Sequence, residues 1–196
     1  GTGASLEYIL DGLRAEGFAV TNSAAHARLA RARLGRRASI HELDFCTELL
    51  PENIDFAFGI ESFVQGLDPK EFFRNISQSL RPLGRLAICD DFLVEDSRHP
   101  LVESFQEGWH ASSLCRAEAL DEIAVSYGLK LVEDRDWTPL LELDRMRDLL
   151  IGLFVSVSRP WCGTSIRWKS LSGGHALRKC LKRGLIKYRY RVWEKV

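Results

Sequence analysis

The chain of 196 residues has no apolar run of about 18 residues, so no transmembrane helix is predicted. It has no charge excess either: 27 lysines and arginines balance 27 aspartates and glutamates, and bulk charge argues against a polyanionic partner. Its five cysteines (Cys46, Cys89, Cys115, Cys162 and Cys180) are scattered, without a CxxC pair. That pattern fits small buried thiols in a reduced, cytoplasmic protein better than disulfides or a metal site. Internal repeats and low-complexity stretches are absent. The length suits one domain with its own core, with room for an inserted subdomain.

What is present begins at once. Gly1-Thr2-Gly3-Ala4-Ser5 runs directly into an amphipathic helix carrying Leu6, Ile9, Leu10 and Leu13. Small residues at a strand-to-helix turn let backbone N–H groups close around a nucleotide-like ligand beside the positive end of a helix. A turn of this kind follows a buried strand, so the numbering is expected to begin inside the domain, after an N-terminal strand and preceding helices.

Phe18–Thr21 reads as a short strand. Ala24–Leu34 reads as an alanine- and arginine-rich helix with Ala25, Leu29 and Ala32 on its apolar side. Ser39–Leu43 and Ile54–Phe58 read as strands, and Pro69 opens a helix through Phe72, Phe73, Ile76 and Leu80. Pro82-Leu83-Gly84 breaks that helix before a buried strand, Arg85–Cys89, ending at Asp90-Asp91. Helices follow over Pro100–Leu114 and Arg116–Tyr127, then a strand over Leu129–Asp136. Residues 137–184 have no clear place in the sheet and include a flexible Ser172-Gly173-Gly174. A last strand spans Ile186–Trp193. This alternation predicts an α/β fold with a parallel sheet, whose ligands bind beyond the carboxyl ends of the strands.

Five segments in order then resemble the class I S-adenosylmethionine-dependent methyltransferases: Gly1-Thr2-Gly3, Val20-Thr21-Asn22-Ser23, Leu43-Asp44-Phe45, Ile60-Glu61-Ser62 and Leu80-Arg81-Pro82-Leu83-Gly84-Arg85-Leu86. More narrowly, the chain is similar to the group of tocopherol and sterol C-methyltransferases, coclaurine N-methyltransferases and cyclopropane synthases. The resemblance covers roughly residues 1–136. It implies a Rossmann-like, mostly parallel seven-stranded sheet with helices on both faces and an antiparallel last strand. Residues 1–136 would form the cofactor-binding core, 137–184 a helical insertion acting as substrate lid, and 185–196 the final core strand.

The resemblance also implies roles. Gly1, Thr2 and Gly3 would approach the methionine part of S-adenosylmethionine. Thr21, Asn22 and His26 would lie at the ribose, where many class I enzymes carry an acidic residue and this chain does not. Asp44 would accept from the adenine amino group, with Phe45 against the ring, and Gly59, Ile60 and Glu61 would line the floor under the sulfonium. Each has a plainer reading: Asp44 as a helix cap, Phe45 as core, Glu61 as one half of an ion pair.

Glu61, His110 and Asp91 are the catalytic candidates, with His99 and Asp90 behind them and Trp109 and Phe105 as pocket walls or core. A carbon acceptor would need its developing positive charge stabilised, a hydroxyl would need a general base, and an amine must be neutral when it attacks. The full bicarbonate pattern of the cyclopropane synthases is not found. Leu149, Leu150, Leu153, Phe154 and Val157 form an apolar stripe that is core, lid or homodimer contact. The expected partner is a hydrophobic small molecule. The basic run Arg178, Lys179, Lys182, Arg183, Lys187, Arg189, Arg191 reads as a solvated face rather than a nucleic-acid site. A nicotinamide-dependent oxidoreductase and a catalytically degenerate binding module are the rival readings.

Overall fold

A computed structural model describes residues 1–66, 68–96, 98–146, 150, 155 and 165–196, in two compact units, 1–51 and 52–196. The first unit holds α1 (Ala4–Gly12), β1 (Gly17–Thr21), α2 (Ala24–Leu34) and β2 (Ala38–Glu42), with β1 and β2 paired in parallel. Gly3 caps α1 at φ +83°, and a Cβ there would sit 2.9 Å from Leu34 Cδ1 and 3.3 Å from Ala30 Cβ. Glycine is therefore required twice over, by its left-handed backbone and by the close approach of α2. The buried side of α2 is Ala27, Ala30 and Leu34, which corrects the expected Ala25, Leu29 and Ala32 face; Leu29 is 55% exposed. With seven alanines and leucines spread around the helix, spacing alone selects no stripe, and packing decides.

The second unit contains β3 (Ile54–Ile60), α3 (Pro69–Ser79), β4 (Leu80–Leu93), α4 (Pro100–Trp109), α5 (Ala117–Ser126), β5 (Leu129–Asp136), α6 (Ile166–Arg183) and β6 (Ile186–Lys195). Its sheet runs β3-β4-β6-β5. The β3–β4 pairing is parallel, and both pairings of β6 are antiparallel because it inserts between β4 and β5. The antiparallel last strand is as expected. The described residues form six strands, in sheets of two and four, with two parallel and two antiparallel pairings; the expected seven-stranded sheet, with its first strand placed ahead of the numbering, goes beyond what they show.

Asp68 accepts from Lys70 N and Pro69 fills the first turn of α3, so the helix starts where the sequence places it. Its apolar face presents Phe72 and Phe73 to a ring cluster in which Phe73 meets Trp193 edge-on at 5.4 Å. Burying such rings stabilises by roughly 1.5–3 kcal/mol each. The expected break at Pro82–Gly84 takes the form of an irregularity inside β4: Leu80 pairs with Ile54, Leu83 turns at φ +61°, and pairing resumes at Arg85 with Phe56. Gly84 permits it, since a Cβ would lie 2.8 Å from both the Arg81 and Ile54 carbonyl oxygens.

Helix α6 lies within residues 137–184, the stretch without a clear place in the sheet. Ser165 caps it by accepting from Trp168 N, and Gly184 closes it at φ +67° after Lys182 and Arg183 in the last turn. The supposedly flexible Gly173-Gly174 lies inside this helix. A Cβ on Gly173 would reach Trp109 Cδ1 at 2.7 Å and Gly108 Cα at 2.9 Å; one on Gly108 would reach Lys169 O at 2.5 Å. Two backbones meet there, and Trp109 Nε1 donates to Ser170 O at 2.9 Å across the crossing.

Adjacent glycines should consequently respond with opposite signs. Gly173→Ala gains helix propensity worth about 1 kcal/mol but overpacks the crossing at a cost of about 1–3 kcal/mol, a net loss of up to about 2 kcal/mol. Gly174→Ala meets only ordinary contact, 3.4 Å from Trp109 Cζ2, and should keep most of the gain. Urea unfolding of the two variants checks this, and equal signs would reject it. The expected stripe residues Leu149, Leu153, Phe154 and Val157 lie outside the described residues, while Leu150 is 64% exposed.

Candidate active site

In the second unit, the parallel ladder carries one step beyond β3: Glu61 N donates to Cys89 O at 2.9 Å. Glu61 then turns at φ +49°, a left-handed conformation that a non-glycine residue adopts at some cost, leaving its side chain exposed. The following turn is tied to β4, with Phe63 N and Val64 N donating to Asp90 Oδ2 at 2.8 and 3.2 Å. Asp90 Oδ1 accepts from Asp91 N, so this carboxylate is committed to holding the loop. From beyond α4, Ser113 N donates to Val64 O and braces the same turn.

Asp91 points to the opposite side of β4 from Asp90, as alternation requires, and sits directly opposite Tyr188 in the β4–β6 register. It is 6% exposed, and its Oδ1 has no hydrogen-bond partner among the described residues. The Tyr188 hydroxyl donates to Glu61 Oε1 at 3.4 Å and also contacts the Cys89 thiol. Glu61, just past the end of β3, Cys89 and Asp91, in the C-terminal part of β4, and Tyr188 of β6 thus form one group, with Asp90 behind it.

Burial dominates the protonation of this group, and like charges reinforce it. Desolvation, then the charges of Asp90 and Glu61, push Asp91 up to about 8. Desolvation lifts Asp90 to about 6 despite its three N–H donors. Burial also raises the Cys89 thiol and the Tyr188 phenol. At neutral pH the cluster therefore holds a carboxylic acid, two neutral hydrogen-bonding groups and the exposed Glu61. Among the described residues, no three His, Cys, Asp or Glu side chains are grouped so as to hold a metal ion.

The remaining candidates are placed as follows. His110 stands apart at the C-terminal cap of α4, exposed, at φ +54°, its backbone N–H donating to Gln106 O. His99 caps the other end of α4, its Nδ1 accepting from Leu101 N at 3.1 Å. Phe105 is fully buried, and Trp109 belongs to the helix crossing. Within the first unit, the buried Thr21 hydroxyl accepts from Ser23 N at 3.2 Å, and Ser23 Oγ accepts from His26 N at 3.4 Å. Asn22 and the His26 side chain are exposed.

Asp44 Oδ1 accepts from Cys46 N, and its own N–H donates to Glu48 Oε1, both at 2.8 Å. The plainer cap reading of Asp44 is thereby realised in its turn. Phe45 is half-buried, Thr2 borders a groove of about 490 Å³ with Glu7, Leu29, Ala32 and Arg33, and Gly1 is exposed. A larger groove, about 660 Å³, is lined by Thr138, Pro139, Leu141, Glu142, Leu143, Asp144, Arg145 and Lys182. It does not include the carboxylates, but Thr138 Oγ1 accepts from Tyr188 N at 2.9 Å, which joins the groove wall to the cluster.

Sequence reading missed Tyr188 and Cys89. The alternation of Lys187, Tyr188, Arg189 and Tyr190 shows a strand; it does not show which tyrosine faces Asp91, a matter of register between segments about 100 residues apart.

No protein-family model matches the chain, and no curated protein matches it. Solved structures do. The geranyl diphosphate C-methyltransferase from Streptomyces coelicolor A3(2), solved with Mg2+, geranyl diphosphate and S-adenosylhomocysteine, superposes with a TM-score of 0.75 at 16% identity, over 100% of this chain and 70% of its own. The O-methyltransferase from a trans-AT polyketide multienzyme of Brevibacillus brevis, solved with S-adenosylhomocysteine, gives 0.76 at 19% identity, over 100% of this chain and 64% of its own. The [4+2]-cyclase SpnF gives 0.71 at 16% identity, over 100% of this chain and 71% of its own. The chain has the Rossmann-like fold of S-adenosylmethionine-dependent methyltransferases. At these identities the likeness is one of fold, and that fold also carries the cyclase.

Proposed function

We propose that this chain transfers a methyl group from S-adenosylmethionine to a hydrophobic small molecule, in the biosynthesis of a natural product. The observation that carries the reading is the Glu61–Tyr188–Asp91 group at the end of β3 and the C-terminal part of β4, in a fold whose ligands meet the carboxyl ends of the strands. Asp91 offers a buried oxygen without a partner among the described residues. When bound, S-adenosylmethionine supplies an electrophilic methyl group on a sulfonium, and the protein supplies alignment and electrostatics.

In this reading the residues that hold the cofactor are Gly1, Thr2, Gly3, Thr21, Asn22, His26, Asp44, Phe45, Gly59, Ile60 and Glu61. Glu61 presents its carboxylate to the acceptor, with Tyr188 orienting it. Asp91 holds or accepts a proton at a buried carboxyl group. Residues 137–184 set acceptor specificity, and the groove at Thr138 is its described part. In the basic C-terminal strand Lys187 pairs with Asp136 and Arg189 with Asp134, which supports the reading of that strand as part of the fold.

Isothermal titration tests the class. S-adenosylmethionine and S-adenosylhomocysteine should bind, whereas NADH and NADPH should not; nicotinamide binding would reverse the assignment. With an acceptor in hand, Glu61→Gln should lower kcat by about 100-fold or more, the contribution of a positioned acid–base group. A cyclase-like role would instead leave turnover intact without any methyl product.

A further inference from the structure

Glu61 and Asp91 are carboxyl groups of one site, the first exposed at its rim and the second buried at its floor. The charges that act on Asp91 from within the fold, Asp90 and Glu61, are both negative. Tyr188 from β6 and Cys89 from β4 add hydroxyl and thiol groups, and the Asp91 charge also acts on the buried Cys180 thiol of α6. The positive charge beyond, Arg183, acts on Cys180. Asp90 is saturated by three backbone N–H groups, while Asp91 Oδ1 is buried with no partner among the described residues. A protein leaves such an atom without a partner at a cost, and what satisfies it in use is a donor brought by a ligand. These residues are not grouped to hold a metal ion. An ammonium group fits: it carries the missing positive charge, and its N–H donors match Asp91 Oδ1, Glu61 and the tyrosine oxygen.

We propose that the Glu61–Asp91–Tyr188 group is a cation-binding subsite, and that the molecule it takes is an alkylamine entering as its ammonium form. The inference rests on the methyltransferase reading only for what happens next. An ammonium arriving beside Asp91 drives the carboxyl proton off to solvent, leaving an ammonium–carboxylate pair. Passage of one proton from nitrogen back to the Asp91 oxygen then breaks an N–H bond, forms an O–H bond and leaves the electron pair on nitrogen. The amine becomes nucleophilic while the buried carboxyl returns to its neutral state. A hydroxyl or alkene acceptor brings no positive charge of its own to set against the two carboxyl groups.

The test uses hexylamine and the isosteric neutral hexan-1-ol as probes, by isothermal titration at pH 7 with and without S-adenosylhomocysteine. Hexylamine should bind at least tenfold tighter than hexanol, and titration in buffers of different ionisation enthalpy should show release of up to one proton. Asp91→Asn should abolish the proton release, and Glu61→Gln, at an exposed position that the fold does not need, should weaken hexylamine at least tenfold. Equal binding of the two probes, or indifference to both substitutions, overturns the proposal. Tighter binding of S-adenosylmethionine than of S-adenosylhomocysteine, lost in Glu61→Gln without any preference for the amine, assigns the cation to the cofactor's sulfonium and also overturns it. Hexylamine selectivity without S-adenosylhomocysteine binding sustains the subsite while rejecting the methyltransferase reading.

Discussion

Arg191→Ala should cost the second unit about 3–5 kcal/mol of unfolding free energy, the loss expected when one partner of a buried ion pair is removed. Arg191 is 2% exposed in the middle of β6. One guanidinium nitrogen reaches Asp121 Oδ2 at 2.8 Å and Asp134 Oδ2 at 3.1 Å, and another donates to the Ala117 carbonyl at 2.6 Å. The guanidinium carbon also lies 5.9 Å from the Phe92 ring and 5.2 Å from the Trp193 ring. Truncation removes that stacking and leaves a carboxylate and a carbonyl turned inward without their donor.

The two carboxylates will not suffer alike. Asp134 keeps two hydrogen bonds from Arg189, at 3.0 and 2.7 Å, whereas Asp121 keeps Trp193 Nε1 at 3.1 Å. Arg191→Met should therefore lose less than Arg191→Ala, because it restores packing and leaves mainly Asp121 short of charge compensation. Urea unfolding at unchanged m-value measures both. A loss below about 1 kcal/mol for Arg191→Ala would mean the carboxylates find water instead and the site is not dry.

Arg191 also marks the limit of what could be read in advance. Lys187, Arg189 and Arg191 alternate with tyrosines and valine, and the solvated-face reading holds for ends that pair with Asp136 and Asp134 near the surface. It fails at Arg191 because burial depends on α5 lying over that stretch of β6, and nothing local to the strand records it. Strands and helices with their own punctuation were legible: Leu129–Asp136 is found at its expected bounds, and Asp68-Pro69 starts α3.

Gly173-Gly174 misled for the opposite reason. Glycine lowers helix propensity, so local chemistry argues against a helix, while the crossing with Gly108 demands one. The site divides in the same way. Glu61 was readable because it follows a strand directly, and Asp91 because it closes the apolar run that marks β4, although the strand continues past it to Leu93. Tyr188 and the helix-capping uses of His99 and His110 depended on partners distant in sequence or on backbone conformation.

Asp91→Asn should stabilise the protein at neutral pH and flatten its pH dependence, even as it damages the site. Burial and the neighbouring charges of Asp90 and Glu61 raise the folded-state value of Asp91 to about 8, against roughly 3.9 in an unfolded chain. Between these values the native state binds the proton that the unfolded state has released, so stability falls as pH rises, by about 1.4 kcal/mol per unit. The contribution is therefore favourable below about pH 4, declines through pH 5 to 7, and levels off above about pH 8. From pH 5 to pH 7 the wild type should lose about 3 kcal/mol through this group alone.

Asparagine keeps the shape without the proton, so the variant should match the wild type near pH 4 and exceed it by several degrees in Tm at pH 7. A shallower slope should persist in the variant between about pH 4 and 6, because Asp90, raised to about 6, has the same sign. Thermal unfolding followed from pH 4 to 9 in both proteins reads this directly, and parallel curves would show that Asp91 ionises in the fold as it does in water. Stability gained at the cost of binding is the expected mark of a residue kept for chemistry, since a group retained only for packing would show no such opposition.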